Sequence, residues 1–345
     1  MRARLLVACL ALGACATLGT EGEGDVALPT TGLGPFRKLA SAELLGVAPY
    51  VLDDAASQYR EPSALPISGT ELFLYVVAAR AGHDVIVRTH ATDGRSFFGG
   101  EGGQFPPTVL TANLPWEGTE LSGPSALRVG AEVRLYYAAA GGIGLARSAD
   151  GRAFSKENGP VLPNEGATAW RAPSVAQLPD GRFRMFVSDG TSIFEAESHD
   201  GVAWTRLDAD KATAVLDPVL GPAGASEGDA AAPFDARGVT DPCLVPRVTA
   251  AGRLHFRVLY TGLGEGSTAI GFAARYGDEG PLVRAAAPVF SATTTQAAPT
   301  FFEVNGLTLM YVQDTRKGAA YPALVGALAP ATLALPPPVA YADTP

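Results

Sequence analysis

Apolar residues along this chain fall into short runs with partial alternation, each closed by Gly, Pro or Asp-Gly. The pattern repeats. A Pro, a Ser or its substitute and an apolar run stand together as Glu61-Pro62-Ser63-Ala64-Leu65, Gly123-Pro124-Ser125-Ala126-Leu127 and Ala172-Pro173-Ser174-Val175-Ala176. Looser copies read Asp241-Pro242-Cys243-Leu244-Val245 and Ala298-Pro299-Thr300-Phe301-Phe302. The copies lie roughly 50 to 70 residues apart, a repeat length that marks a radial array of small sheets.

Within each repeat the runs read as strands. The second repeat continues through Glu132 to Ala139 and Ile143 to Ser148, turns at Asp150-Gly151 and ends near Leu162. The third follows the same plan through Arg182 to Val187, Ile193 to Ser198, Asp200-Gly201 and Val215-Leu216. The first has Leu72 to Ala78, Val85 to Thr89 and Asp93-Gly94. The fourth has His255 to Tyr260 and Ala269 to Ala274, the fifth Leu307 to Val312 and Leu324 to Leu328. Asp-Gly between two strand-like runs is a strong hairpin signal. The predicted architecture is all-β, a five-bladed β-propeller of four-stranded antiparallel blades spanning residues 41–345. The fifth repeat ends short. The run Leu44 to Leu52 is therefore expected to supply its missing outer strand and close the ring.

Bulk composition agrees and excludes one class of partner. The 345 residues are 47 % hydrophobic, enough for a core, and the 40 Gly and 27 Pro suit many turns. The formal charge is −9 with no basic run, so nucleic acid is excluded as a partner. Residues 1–15 read as a targeting segment, with Arg2 and Arg4 ahead of the apolar stretch Leu5 to Leu12, too short to cross a bilayer. Leu12-Gly13-Ala14-Cys15 resembles a bacterial lipobox, which makes Cys15 the expected lipidation site. An ordinary signal peptide cleaved near Ala16 is the alternative. Lipidation implies attachment through acyl chains. Ala16 after the Cys then favours the outer membrane, its periplasmic or surface face left open. Residues 16–40 read as a flexible tether. Cys243 is the one Cys left in the folded part, so no internal disulfide is expected, and it reads as a small buried hydrophobe.

Propeller topology puts the entry to each innermost strand on the same face as the loops joining second to third strands. The Asp-Gly turns fall on the opposite face and read as structural. The site face should gather Arg60, Glu61, Trp170, Arg171 and Asp241 with the loop residues His83, Asp84, Asp189 and Asp314, and with Trp116 on the approach to the second blade. Carboxylates, arginines and indoles on one face suit a sugar: rings stack on aromatics and hydroxyls accept from guanidinium groups. Four His residues show no zinc-binding spacing, so no metal is predicted from the residues.

The Pro-led inner strands, the second strands Leu135-Tyr136-Tyr137 and Leu259-Tyr260-Thr261-Gly262, and the turns Ser148-Ala149-Asp150-Gly151-Arg152-Ala153-Phe154 and Ser198-His199-Asp200-Gly201-Val202-Ala203-Trp204 resemble five-bladed glycoside hydrolases. The similar families are the arabinanase/xylosidase and invertase/levansucrase groups. That resemblance implies carboxylates near the channel acting as base or nucleophile, pKa-tuning helper and acid, and by analogy alone a Ca²⁺. Thr240-Asp241-Pro242 resembles the Arg-Asp-Pro element of the invertase group, with Thr in place of Arg. The candidate catalytic pair is Glu61 and Asp241; the candidate substrate-binding residues are Arg60, Trp116, Trp170, Arg171, Asp189 and Asp314. Gly123 and Ala172 stand where further acids would be expected. Two functions are open: a monomeric cell-envelope lipoprotein that binds and hydrolyses glycan, or a non-catalytic propeller that binds glycan or protein partners.

Overall fold

A computed structural model describes residues 20–21, 37–38, 50–68, 71–92, 94, 97, 105–207, 214–219, 233–249, 252–280, 282–285, 287–290, 295–304, 307–315 and 321–330. Cys15, most of the tether, Asp93, Arg316 and Lys317 lie outside the described residues. Every described element is a strand. Three short ones come first: β1 (Thr20–Glu21), β2 (Arg37–Lys38) and β3 (Tyr50–Leu52).

Five antiparallel meanders follow. Blade one is β4 (Arg60–Pro66), β5 (Leu72–Arg80), β6 (His83–Ala91) and β7 (Thr108–Leu110). Blade two is β8 (Ser122–Val129), β9 (Glu132–Ala139) and β10 (Gly142–Ser148), with β11 (Ser155–Lys156) and β12 (Leu162–Pro163) both on β10. Blade three is β13 (Arg171–Gln177), β14 (Phe183–Ser188), β15 (Ile193–Ser198) and β16 (Thr205–Arg206). Blade four is β17 (Gly238–Thr249), β18 (Leu254–Leu263), β19 (Thr268–Tyr276) and β20 (Val283–Arg284), with β1 parallel to the end of β17. Blade five is β21 (Thr295–Val304), β22 (Leu307–Thr315) and β23 (Ala323–Pro330). Its outer position is filled by β3 and β2, from ahead of blade one. The first strands β4, β8, β13, β17 and β21 pack in a closed ring.

The Pro-Ser repeat is the seam of that ring. Ser63 Oγ accepts the Ala126 N–H at 2.9 Å, Ser125 Oγ that of Val175 at 3.0 Å, and Ser174 Oγ that of Leu244 at 2.8 Å. Thr300 Oγ1 closes the circle by accepting the Ala64 N–H at 3.1 Å. Each hydroxyl thus satisfies a main-chain amide of the next blade that burial would otherwise leave unpaired. Losing such an acceptor costs about 1–3 kcal/mol. Cys243 occupies this position in blade four and is buried, as a small hydrophobe would be.

A second repeat joins the blades on the far face. Tyr75 donates to the Gly151 carbonyl at 2.7 Å, Tyr136 to that of Gly201 at 2.7 Å, and Tyr311 to that of Gly94. Each is a second-strand Tyr gripping the Asp-Gly turn of the following blade. Burial pushes the Tyr136 hydroxyl up to about 12, so it stays a donor at any ordinary pH. The equivalent positions in blades three and four are Phe186 and Leu259, and the sequence of the blades that follow them has no Asp-Gly pair. Between blades three and four a buried ionic network stands instead. Glu195 takes both Arg184 and Arg275, while Glu197 and Asp278 hold the outer faces of Arg184 and Arg182. Removing one partner from such a cluster costs about 3–5 kcal/mol, because the others stay buried and charged.

Candidate functional site

Each innermost strand begins with the same distortion. The residue before the Pro takes a left-handed conformation: φ is 51° at Glu61, 54° at Gly123, 45° at Ala172, 47° at Asp241 and 51° at Ala298. The ladder to the second strand slips at each of these places. This is a bulge whose extra residue turns away from the sheet. The five X-Pro pairs line a cavity of about 30 Å³ at the waist of the channel, room for one or two waters. Left-handed backbone at non-glycine residues costs about 1–3 kcal/mol each and gathers at functional sites. Here it recurs in all five blades, so it is first a rule of the ring's construction.

Two of the five bulge residues are acids. Glu61 Oε2 accepts the Gly123 N–H at 2.6 Å. Asp241 is paired in the equivalent way, because the Ala298 N–H that meets Thr261 Oγ1 at 2.8 Å also serves the Asp241 carboxyl. Thr240 Oγ1 stands 3.5 Å from Asp241 Oδ1. Each acid therefore spans to the amide of the next blade's bulge. Only 27 % of the Glu61 side chain is accessible. Burial accordingly pushes its carboxyl above the ordinary range; the Gly123 N–H pulls it back, Asp241 pushes it further and Arg60 pulls weakly down. Burial raises Asp241 too, against the opposing pull of Thr261, the Ala298 N–H, Thr240 and Arg171. The two acids feel each other across the waist. A pair of carboxyls that cannot both ionise freely is the arrangement in which one holds a proton while the other is charged.

Around them, the expected residues divide. Arg60 and Asp84 are joined at the rim of blade one, which places the strand entry and the second-to-third hairpin on one face, as topology requires. Arg171 is exposed beside Gly190, close enough to act on Asp241. Asp189 caps its own turn, accepting the Thr191 and Ser192 amides at 2.8 Å each. Trp116 lies flat over Gly141 and Gly144 and stacks on Tyr137 at 6.1 Å.

Two of the expected ligand contacts are turned inward. Trp170 is 2 % exposed, edge-on to Phe194 and beneath the Arg206 guanidinium. Its neighbour Arg171 takes the outward position, since successive strand residues face opposite ways. Asp314 is fully buried and accepts from Gln296 Nε2 at 2.9 Å inside blade five.

Two residues expected on this face make contacts the sequence did not show. Thr261 stands opposite Thr240 near the end of β18 and hydrogen-bonds Asp241. Asp84 holds Arg60. Beside the channel, Glu117 is buried under Lys156 Nζ, 2.7 Å away, and the Tyr137 hydroxyl, also 2.7 Å. Burial pushes its carboxyl up, but Lys156, Tyr137 and the Asn113 and Leu114 amides outweigh burial and hold it ionised. Glu117 ties the loop ahead of blade two to its outer strands.

On the far face, the Asp150 and Asp200 carboxyls cap their own hairpins through the amides of residues 152–153 and 202–203. No chemistry is available to them there. Among the described residues no group of three or more His, Cys, Asp or Glu side chains that could hold a metal ion comes together.

No protein-family model matches this chain, and no curated protein matches its sequence. Solved structures do match its fold. A β-1,2-mannobiose phosphorylase from Listeria innocua superposes with a TM-score of 0.59 at 12 % identity, covering 86 % of this chain and 97 % of that one. An endo-1,4-β-xylanase from Bacteroides thetaiotaomicron gives 0.58 at 14 %, covering 79 % and 91 %. A glycosyl hydrolase from Bacteroides ovatus gives 0.57 at 16 %, covering 79 % and 84 %. At these identities the likeness is one of fold: the chain is a five-bladed β-propeller, the fold it shares with these proteins.

Proposed function

We propose that this protein is a cell-envelope lipoprotein, anchored to the outer membrane through Cys15, whose propeller binds glycan over the waist and processes it with Glu61 and Asp241. One observation carries the chemistry: of the five bulge residues that line one cavity, two are acids; burial raises both above the ordinary carboxyl range, and Asp241 pushes Glu61 further. Glycoside cleavage needs one protonated and one ionised carboxyl flanking the bond. A waist of about 30 Å³ is too small for a sugar ring, so the glycan lies at the channel mouth with its scissile bond toward the acids. Arg171 and Arg60 line that mouth as hydroxyl-binding groups. The similar folds include proteins described as acting on β-1,2-mannobiose and as a xylanase, which makes β-linked oligosaccharides the first substrates to try.

A binding-only reading is favoured by a different observation. Both acids already accept the amide of the following blade, as a purely structural clamp would. One experiment separates the two. Arabino-, xylo-, fructo- and manno-oligosaccharides are incubated with the protein, with and without inorganic phosphate, beside Glu61→Gln and Asp241→Asn. Acid–base work contributes about 10²–10⁴-fold, and turnover should fall by that much in each variant. Turnover untouched by both substitutions removes the pair from the mechanism. Tight sugar binding with no product, retained in both variants, establishes the binding module.

A further inference from the structure

Arg60 presents three edges to three different neighbours. Nη2 meets the Asp84 carboxylate, Nη1 donates to the Gln58 carbonyl at 3.3 Å, and Nε stands 3.9 Å from Glu61 Oε1. The last separation is too long for a hydrogen bond. A two-pronged pair with a carboxylate is the strongest arrangement open to an arginine. Arg60 does not make one with Glu61: the Nη2 it would need is taken by Asp84.

Asp84 itself is held. It sits just past the tight β5–β6 turn, where Ala81 and Gly82 have φ of 51° and 82° and Arg80 pairs with His83. Its carbonyl accepts the Leu121 N–H at 3.0 Å, which ties the hairpin to the approach of blade two. Asp84 therefore cannot follow Arg60 inward. The charged and polar groups around Glu61 are Arg60 with Asp84 behind it, Asp241 across the channel, and the Gly123 N–H; Arg171 bears on Asp241, and His83 is exposed on the hairpin.

We infer that Asp84 is a positioning residue that holds the Arg60 guanidinium off Glu61, leaving the Glu61 carboxyl free to take up and release a proton at the waist. The weak downward pull of Arg60 on Glu61, last among the four influences on that carboxyl, agrees with this arrangement. The inference deepens the acid–base reading above and rests on it for its purpose. Its test does not depend on turnover.

The full chain is labelled with carboxyl-¹³C glutamate, the Glu61 resonance is assigned with Glu61→Gln, and its titration midpoint is followed by NMR. In Asp84→Asn, Arg60 is released onto Glu61 and the midpoint falls by about one pH unit or more. In an Arg60→Met background the same Asp84→Asn change moves Glu61 by less than half as much, because the effect passes through the guanidinium. No fall in Asp84→Asn overturns the inference. So does a fall that keeps half or more of its size without Arg60, which would make Asp84 a simple field on Glu61. If glycan processing itself is absent, the NMR shift is unaffected, so the two failures are distinguishable.

Discussion

Gly123 is the bulge residue where a third acid would be expected, and its replacement tests why none is there. A Cβ at this position would stand 2.8 Å from the Ala172 Cα, 2.9 Å from the Ala172 N and 3.2 Å from Pro173 Cδ. These are main-chain and ring atoms of blade three, so they cannot swing away. Two costs combine in Gly123→Ala. The left-handed conformation, with φ of 54°, costs a non-glycine residue about 1–2 kcal/mol. Overpacking adds about 1–3 kcal/mol. The stiffer unfolded chain returns roughly 0.5–1 kcal/mol, leaving a net loss of about 1–4.5 kcal/mol from a stability of typically 5–15 kcal/mol. Denaturant unfolding at unchanged slope reads this as a lower midpoint. Gly130 supplies the control: its φ is 59°, but a Cβ there meets nothing within 4 Å, so Gly130→Ala should lose only the conformational part. The double change Gly123→Ala with Ala172→Gly should gain no more than Ala172→Gly alone gains in the wild-type background by relieving its own left-handed backbone, since the crowding atoms are backbone. A Gly123→Ala protein no less stable than Gly130→Ala, or a gain from Ala172→Gly that is larger in the Gly123→Ala background than in wild type, would refute the account. Gly123→Asp, a direct attempt to add the third acid, should fare no better than Gly123→Ala.

Two further outcomes follow. Glu61 and Asp241 titrate above their ordinary values in the folded state, so folding takes up protons between the ordinary and the raised values. Their contribution to stability is fully present below the ordinary carboxyl range near pH 4 and is lost as pH rises through the raised values; Glu61→Gln and Asp241→Asn should therefore gain on wild type from about pH 4 upward, and a stability difference that stays constant with pH would contradict this. Replacing the proposed lipidation site, Cys15→Ser, should move the protein from the membrane fraction to the soluble fraction of a Gram-negative host; membrane retention equal to wild type would rule out the lipid anchor.

The propeller was legible because its devices are local. A Pro near the start of each inner strand recurs in all five blades, a hydroxyl follows it in four, and an Asp-Gly turn comes later in three; each leaves a signature a few residues long. Even the outer strand of blade five was readable from the unassigned apolar run ending at Leu52, which pairs with Leu324. The site was legible only in part. Composition suggested that Trp170 and Arg171 share a face, and strand alternation sends them to opposite ones. Asp314 looked like a loop acid, yet Gln296 and the body of blade five enclose it.

The Pro-led strands, then, were determined by sequence alone, but the reason Ser so often follows Pro, an acceptor for the next blade's amide, was not. What only the tertiary structure decided is the meaning of the residue before each Pro. Five left-handed bulges bring Glu61 and Asp241, far apart in sequence, to one waist and set each against the amide of the following blade. Burial, field and close approach are sums over atoms from several blades. No single repeat contains them, so no reading of one repeat could show that Glu61 and Asp241 are coupled, or that Gly123 is glycine because blade three lies 2.8 Å from where its side chain would begin.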